Sequence, residues 1–140
     1  MEERIARAAA RSGRRREDIT LIAVTKLFPA AAILEAYDLG LRHFGENYVQ
    51  EFEQKAPVVR RLEGASFHLI GHLQSNKSRR AAELFDVIQT LDTGKLARRL
   101  GESERPLEVM IEVTVAGADA KSAAGPDAVA GRAATDRPGP

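Results

Sequence analysis

The sequence predicts an α/β protein built around a parallel sheet. Short β-rich runs alternate with amphipathic helical stretches along most of the 140 residues, and this alternation is typical of βαβ units. The chain is 44% hydrophobic and 29% charged, a composition typical of globular domains, and it is long enough to bury a core. The pattern fits either a doubly wound open sheet or a TIM-type (β/α) barrel, and it leaves both open.

Five helices and five strands are predicted, beginning with a helix. The predicted helices span residues 2–12, 30–39, 47–56, 76–85 and 94–103. The predicted strands span residues 20–25, 42–44, 66–71, 86–90 and 107–115. Each strand but the last is therefore followed by a helix that can cross back over the sheet to the next strand.

Glycine and proline mark the ends of the first elements. The first helix ends at Gly13, as helices often do. The run 20–25 is apolar on both faces, which predicts a buried strand. Pro29 opens the second helix and Gly40 ends it, while Pro57 predicts a break or kink in the third helix.

The later strands follow from the same alternation, and the fifth has the clearest pattern. Residues 107–115 alternate with period two, so that aliphatic side chains lie on one side and polar ones on the other. The aliphatic side comprises Leu107, Val109, Ile111, Val113 and Val115. This pattern predicts a strand with one face on the core.

Residues 116–140 differ from the rest in composition. Of these 25 residues, 16 are Ala, Gly or Pro, and Val129 is the only large aliphatic one. Such a segment buries too little apolar surface to offset the entropy lost on ordering. We therefore expect a barrel-like or sheet domain over residues 1–115 and a disordered tail over residues 116–140.

Composition excludes several classes of function. The chain contains no cysteine, which excludes disulfides, thiolate catalysis and cysteine zinc sites, and which fits a reducing cytoplasm. No apolar stretch is long enough to cross a bilayer, so we expect no membrane partner.

The charged segments are expected to be solvated helix faces. Six arginines lie within residues 1–16, but no aromatic residues interleave with them and the net charge of the chain is +1. We therefore expect no nucleic-acid partner. Glu51, Glu53 and Lys55 are likewise expected to form a solvated face of the third helix.

The carboxyl ends of parallel strands carry the functional sites of α/β proteins. In this sequence those ends carry Lys26, Glu46, Asn47, His72 and Asp92. Lys26 directly follows an apolar strand, where partial desolvation favours the neutral, nucleophilic amine that Schiff-base formation requires. The alternative is a lysine that extends from the strand end to water.

Three other polar residues lie at or near these ends. Asn47 can orient a cofactor hydroxyl, cap the third helix, or do both. His68 and His72 cannot share a metal ion, because positions i and i+4 of a strand lie about 13 Å apart. We expect His68 to be a hydrogen-bonded core residue and His72 to line the mouth of the site.

Three motifs together resemble one known family. They are Ala23-Val24-Thr25-Lys26, Phe44-Gly45-Glu46-Asn47-Tyr48-Val49-Gln50-Glu51 and His68-Leu69-Ile70-Gly71-His72-Leu73-Gln74-Ser75-Asn76-Lys77. In this order they are similar to motifs of the pyridoxal phosphate homeostasis proteins, single-domain relatives of the alanine racemase barrel domain. The resemblance covers residues 1–122. It implies a TIM-type (β/α) barrel, of which this chain holds about the first five strands.

The resemblance also implies roles for individual residues. It implies that Lys26 forms a Schiff base with pyridoxal 5′-phosphate and that Asn47 lies near the cofactor ring. Lys121 looks like a second family lysine that lies near the site after the fifth strand. With Glu46 and His72 at the neighbouring strand ends, these are the residues expected to bind the cofactor.

The implied function is that of a carrier. Family members are thought to buffer pyridoxal phosphate and deliver it to apoenzymes that depend on it, with no established catalysis. The resemblance therefore predicts a non-catalytic cytoplasmic carrier. The alternative is a racemase-like enzyme that uses Lys26 as a base, which requires a second acid–base residue across the cofactor.

The sequence also departs from the family pattern. Family members are longer and complete eight strands, whereas the resemblance here stops after Lys121 and Ser122, with Ala123 where a glycine is expected. In the family, later segments hold the cofactor phosphate and supply an arginine facing the pyridine nitrogen. We therefore expect two unpaired sheet edges, and a third hypothesis is a truncated chain without function.

Overall fold

Five helices alternate with five strands within residues 1–115, the part of the chain that the computed structural model describes. The helices are α1 (Glu2–Arg11), α2 (Ala30–Asp38), α3 (Val49–Val59), α4 (Ser78–Leu84) and α5 (Gly94–Gly101). The strands are β1 (Ala23–Val24), β2 (His43–Glu46), β3 (Ser66–Leu69), β4 (Val87–Leu91) and β5 (Glu108–Ile111). Short 3-10 helices span Arg16–Asp18 and Ser75–Lys77. The expected tail over residues 116–140 lies outside the described residues.

The five strands are all parallel and lie in chain order, β1-β2-β3-β4-β5. A doubly wound sheet reverses its strand order at a switch point. An order without reversal, joined by right-handed crossovers, instead places all the crossover helices on one face of the sheet. The arrangement is therefore that of a TIM-type (β/α) barrel. β1 and β5 are the two edges of the sheet within residues 1–115, so the barrel is not closed there.

Local sequence signals set most helix ends. Pro29 is the N-cap of α2, and Gly40, whose φ is +98°, follows its end. The Thr93 hydroxyl accepts a hydrogen bond from the Leu96 N–H and caps α5. The predicted bounds of α1, α2 and α5 therefore agree with the structure to within two residues. Among the helices of residues 1–115, none combines the length and the apolar character that a bilayer crossing requires.

Two expectations for α3 are wrong, namely the cap at Asn47 and a helix end at residue 56. The helix begins at Val49 with Tyr48 as its N-cap, so Asn47 is not the cap. The helix also continues through Pro57 to Val59. Pro57 lies in the last turn, where it removes a single main-chain donor, and the fully buried Val59 side chain packs in the core. That burial offsets the cost of the proline.

The prediction of a fully buried first strand is also wrong. β1 comprises two residues, and Val24 is 50% exposed. The reason is its position, since β1 pairs with β2 alone and lies at the edge of the sheet. Its outer side packs on the helices through Ala23, and its other side is open.

The core lies between the outer face of the sheet and helices α2 to α5. Four phenylalanines that are at most 1% exposed form its centre: Phe44, Phe52, Phe67 and Phe85. The Phe52 ring centroid lies 4.9 Å from that of Phe67 and 4.7 Å from that of Phe85. Each such ring contributes about 1.5–3 kcal/mol when buried. This packing fixes the strands, and with them the positions of the strand ends.

The inner face of the sheet, opposite the helices, is open at both edge strands. One row of register partners crosses it, comprising Val24, Gly45, His68, Val87 and Glu108. On β5, Glu108 and Met110 are exposed, whereas Val109 and Ile111 pack against the core. The period-two pattern predicted for the fifth strand is thus confirmed over the residues that form β5.

Candidate functional site

Four of the predicted site residues lie along the border of the sheet where the carboxyl ends of the strands meet. This border, the carboxyl edge, is distinct from the edge strands β1 and β5. Lys26 follows β1, Glu46 ends β2, Asn47 follows it, and His72 follows β3. Because the strands are parallel, these carboxyl ends meet at the same edge. The fifth predicted residue, Lys121, lies outside the described part of the chain.

Lys26 is half-buried and lies in a turn that begins one residue after the end of β1. The Thr25 N–H donates to the Gly45 carbonyl oxygen at 3.0 Å, which extends the β1–β2 pairing to the residue before Lys26. The residue after it, Leu27, has a φ of +65°, a region that non-glycine residues rarely adopt. Lys26 therefore lies between Thr25, whose main chain is hydrogen-bonded to β2, and Leu27, whose backbone conformation is strained.

Asn47 is partly buried, and its main chain packs against the loop that follows β3. A Cβ atom placed on Gly71 would lie 2.8 Å from the Asn47 Cα, so only glycine permits this approach. The Ile70 N–H donates to the Glu46 carbonyl oxygen at 2.9 Å, and the Thr90 hydroxyl donates to the Gly71 carbonyl oxygen at 2.7 Å. The ends of β2 and β3 are thus joined through their main chains, and the Thr90 side chain joins β4 to them.

His72 lies at the open rim of this edge. Its side chain is 57% exposed, and its Nδ1 lies 3.6 Å from Oδ2 of the buried Asp92. That His72 lines the mouth of a cofactor site stays a prediction. Asp92 can orient the imidazole, since a carboxylate attracts and accepts from a ring N–H.

Glu46 points to the other side of the sheet, into the helix layer. It is fully buried, and its Oε1 accepts hydrogen bonds from the Thr25 hydroxyl at 2.7 Å and from Lys55 Nζ at 3.0 Å. Lys55 Nζ also lies 3.1 Å from Oε2. The carboxylate is therefore engaged by protein donors, and the residue reaches the edge through its main chain.

The predicted solvated face of α3 is wrong for two of its three residues. Lys55 is 7% exposed and the Glu51 side chain is 23% exposed, whereas the Glu53 side chain is 43% exposed and pairs with Arg80. The signal that could have found Lys55 is its spacing, because it lies three residues after the buried Phe52 and next to the buried Ala56. A lysine on a buried face needs a charged partner.

His68 is buried on the inner face and hydrogen-bonded, as expected. Its Nε2 lies 3.0 Å from His43 Nδ1, and its Nδ1 lies 3.0 Å from Gln89 Nε2. Burial, and then the neighbouring His43, hold the pKa of His68 below its ordinary value. Within residues 1–115, no cluster of three His, Asp or Glu residues could hold a metal ion.

Comparison with known proteins places the chain among curated relatives, although no family model matches it. It is 45% identical over 128 residues to the pyridoxal phosphate homeostasis protein of Escherichia coli strain K12, covering 87% of this chain and 55% of that protein. It is 40% identical over 133 residues to the protein of the same name from Haemophilus influenzae, covering 91% and 56%. The chain thus spans about half the length of the curated relatives it matches.

Solved structures show the same relationship in three dimensions. PipY of Synechococcus elongatus PCC7942, solved without PLP, has a TM-score of 0.76 and 38% identity, covering 94% of this chain and 63% of that one. The same protein with PLP bound has a TM-score of 0.69 and 40% identity, covering 89% and 59%. The resemblance predicted from the motifs is confirmed in both sequence and fold. The chain is therefore homologous to the pyridoxal phosphate homeostasis proteins and corresponds to about half of their length.

Proposed function

We propose that this chain binds pyridoxal 5′-phosphate through a Schiff base on Lys26 and that it holds and supplies this cofactor. The observation that carries the proposal is the position of Lys26, a half-buried primary amine at the carboxyl edge of a (β/α)-barrel sheet. The curated relatives bear the name pyridoxal phosphate homeostasis protein, and PipY has been solved with PLP bound. Both support the choice of cofactor.

The residues at this edge fit an aldehyde-bearing cofactor. The neutral Lys26 amine condenses with an aldehyde carbon and water leaves, which requires an accessible amine. Asn47 and His72 lie at the ends of the next two strands, where their side chains can hydrogen-bond polar ring substituents and orient the ring. When bound, the cofactor supplies the electrophilic aldehyde that makes the attachment covalent and reversible.

The proposal gives Glu46 an indirect role. Its carboxylate is buried on the helix side with Lys55 and Thr25, so it supports the loop that carries Lys26 instead of touching the cofactor. This differs from the direct contact expected from its place next to Asn47 in the sequence.

A carrier fits these residues better than a racemase-like enzyme. A carrier needs one positioned lysine, whereas an enzyme needs a second acid–base group that is held across the cofactor and shielded from water. His72, the predicted site residue that could act as such a group, is mostly exposed. We propose that PLP-dependent apoenzymes receive the cofactor and that the exchange takes place in the cytoplasm, which agrees with the absence of cysteine.

Chemical trapping tests the proposal. The chain is incubated with pyridoxal phosphate, reduced with borohydride and digested, and the modified lysine is located by mass spectrometry. We expect the added mass on Lys26 at low cofactor concentration. Modification spread evenly over Lys26 and the exposed Lys95, which follows β4 at the same edge, would instead show non-specific reaction and would contradict the proposal.

A further inference from the structure

We infer that Glu51 and Lys55 of α3 are positioning residues for Lys26, because they hold the main chain on both sides of it. The inference rests on the proposed function of Lys26 and adds to it the device that fixes the lysine. Glu51 ends the second sequence motif, but the motif assigned it no role, and Lys55 lies outside the motifs. Both residues belong to the helix layer and not to the carboxyl ends of the strands.

Lys55 holds the residue before Lys26. Its Nζ donates to the Thr25 carbonyl oxygen at 3.0 Å, and it also lies 3.0 Å from Glu46 Oε1 and 2.7 Å from Glu51 Oε1. An ammonium group has three protons to donate, and each of these three residues accepts one. The buried charge is thus satisfied, and the Thr25 carbonyl has a fixed partner.

Glu51 holds the residue after Lys26. Its Oε1 accepts a hydrogen bond from the Leu27 N–H at 2.6 Å. The Leu27 side chain is 80% exposed, so side-chain burial does not account for the positive φ of this residue. Leu27 is the third residue of a turn that the Phe28 N–H closes by donating to the Thr25 carbonyl oxygen at 3.1 Å. The charge-assisted bond to the Glu51 carboxylate offsets part of the strain of that turn.

The contact of Lys55 with Thr25 and the contact of Glu51 with Leu27 are linked, because Lys55 and Glu51 form an ion pair with each other. Burial alone would raise the pKa of Glu51, but the hydrogen bonds from Lys55 and from the Leu27 N–H outweigh burial and hold the pKa below its ordinary value. The carboxylate is therefore ionised at neutral pH. Lys26 lies between two main-chain groups that the same helix holds, so the position of its Cα and the direction of its Cα–Cβ bond are set before any ligand arrives.

The test uses the full chain and compares Glu51→Ala with Glu53→Ala. Glu53 lies two residues along the same helix and pairs with Arg80 on the surface, so its variant changes helix composition equally without touching the loop. Two rates are measured, and neither of them depends on a binding site for the phosphate group of the cofactor. One is hydrogen exchange of the Leu27 amide, and the other is modification of Lys26 by pyridoxal and borohydride relative to Lys95 in the same chain.

We expect Glu51→Ala to speed exchange at Leu27 on the order of ten-fold, as loss of one charge-assisted hydrogen bond predicts, and to change the Lys26 to Lys95 ratio at least about two-fold. Glu51→Gln, which keeps an acceptor oxygen, is expected to recover most of the Leu27 protection. If either rate in Glu51→Ala equals that of Glu53→Ala, the inference is wrong. Retention of pyridoxal phosphate by the unaltered chain is measured separately. Failure of the proposed function can therefore be told apart from failure of the inference about Glu51 and Lys55.

Discussion

Gly71 lies against the main chain of Asn47 so closely that a methyl group on Gly71 would come within 2.8 Å of the Asn47 Cα. Real Cβ atoms do not approach a main chain to this distance. The contact joins the loops after β2 and β3, both of which carry residues that we place at the cofactor. It therefore sets the spacing of the site as well as the packing of the loops.

Gly71→Ala is expected to destabilise the chain by about 1–3 kcal/mol, because the main chain of Asn47 has to move to admit the methyl group. Urea unfolding followed by circular dichroism measures the change. Gly101→Ala is the matched control, since a Cβ added there meets no atom within 4 Å apart from its chain neighbours and the main chain of its own helix. Equal midpoints for the two variants would show that the contact does not constrain the fold.

Lys55→Met is expected to destabilise the chain by about 3 kcal/mol, because it leaves the fully buried Glu46 carboxylate without its cation. The physical reason is the cost of an unpaired buried charge and not lost volume. A second substitution, Glu46→Gln in the Lys55→Met background, removes that charge and should recover much of the stability. Additive losses in the double variant, measured by urea unfolding, would contradict this explanation.

The buried His68 is expected to make stability fall as the pH drops below neutral. Its pKa is held low in the folded chain, whereas in the unfolded chain a histidine titrates near about 6.5. Between the two values the unfolded chain binds more protons, so the free energy of unfolding decreases as the pH falls through about 6.5. The neighbouring groups that influence the titration are His43, Glu108 and Asp86.

Comparison with His68→Gln isolates this effect. The free energy of unfolding is measured about one pH unit above and one unit below the unfolded pKa. The unaltered chain should lose more stability between the two conditions than the variant, which has no titrating group at this position. A loss of equal size in both proteins would show that other groups carry the pH dependence.

The sequence predicted the order and type of the elements well, because helix-ending glycines and the alternation of strands are local signals. Pro29, Gly40 and the pattern of β5 act through their own neighbours. Pro57 was misjudged because the burial of Val59 in the core offsets its local effect. β1 was misjudged because its exposure depends on its place at the edge of the sheet, which no local pattern encodes.

Part of the candidate site could likewise be predicted from local sequence signals, and part could not. Lys26, Asn47 and His72 could be placed from the rule that sites lie at strand ends, together with the motifs. The contacts of Glu46, Glu51 and Lys55 could not be predicted from the sequence, because they join residues up to 30 positions apart in the chain. A charged cluster on a helix is usually solvated, and only the packing of α3 on the sheet buries this one.

The most direct test of the central claim is whether the chain keeps pyridoxal phosphate on Lys26. The unaltered chain, Lys26→Ala and the control Lys95→Ala are incubated with the cofactor and passed through a gel-filtration column. Their visible absorption spectra are then recorded. We expect the Schiff-base band to be retained by the unaltered chain and by Lys95→Ala, and to be lost in Lys26→Ala. Loss of the band from all three proteins, or an equal band in Lys26→Ala, would contradict the account.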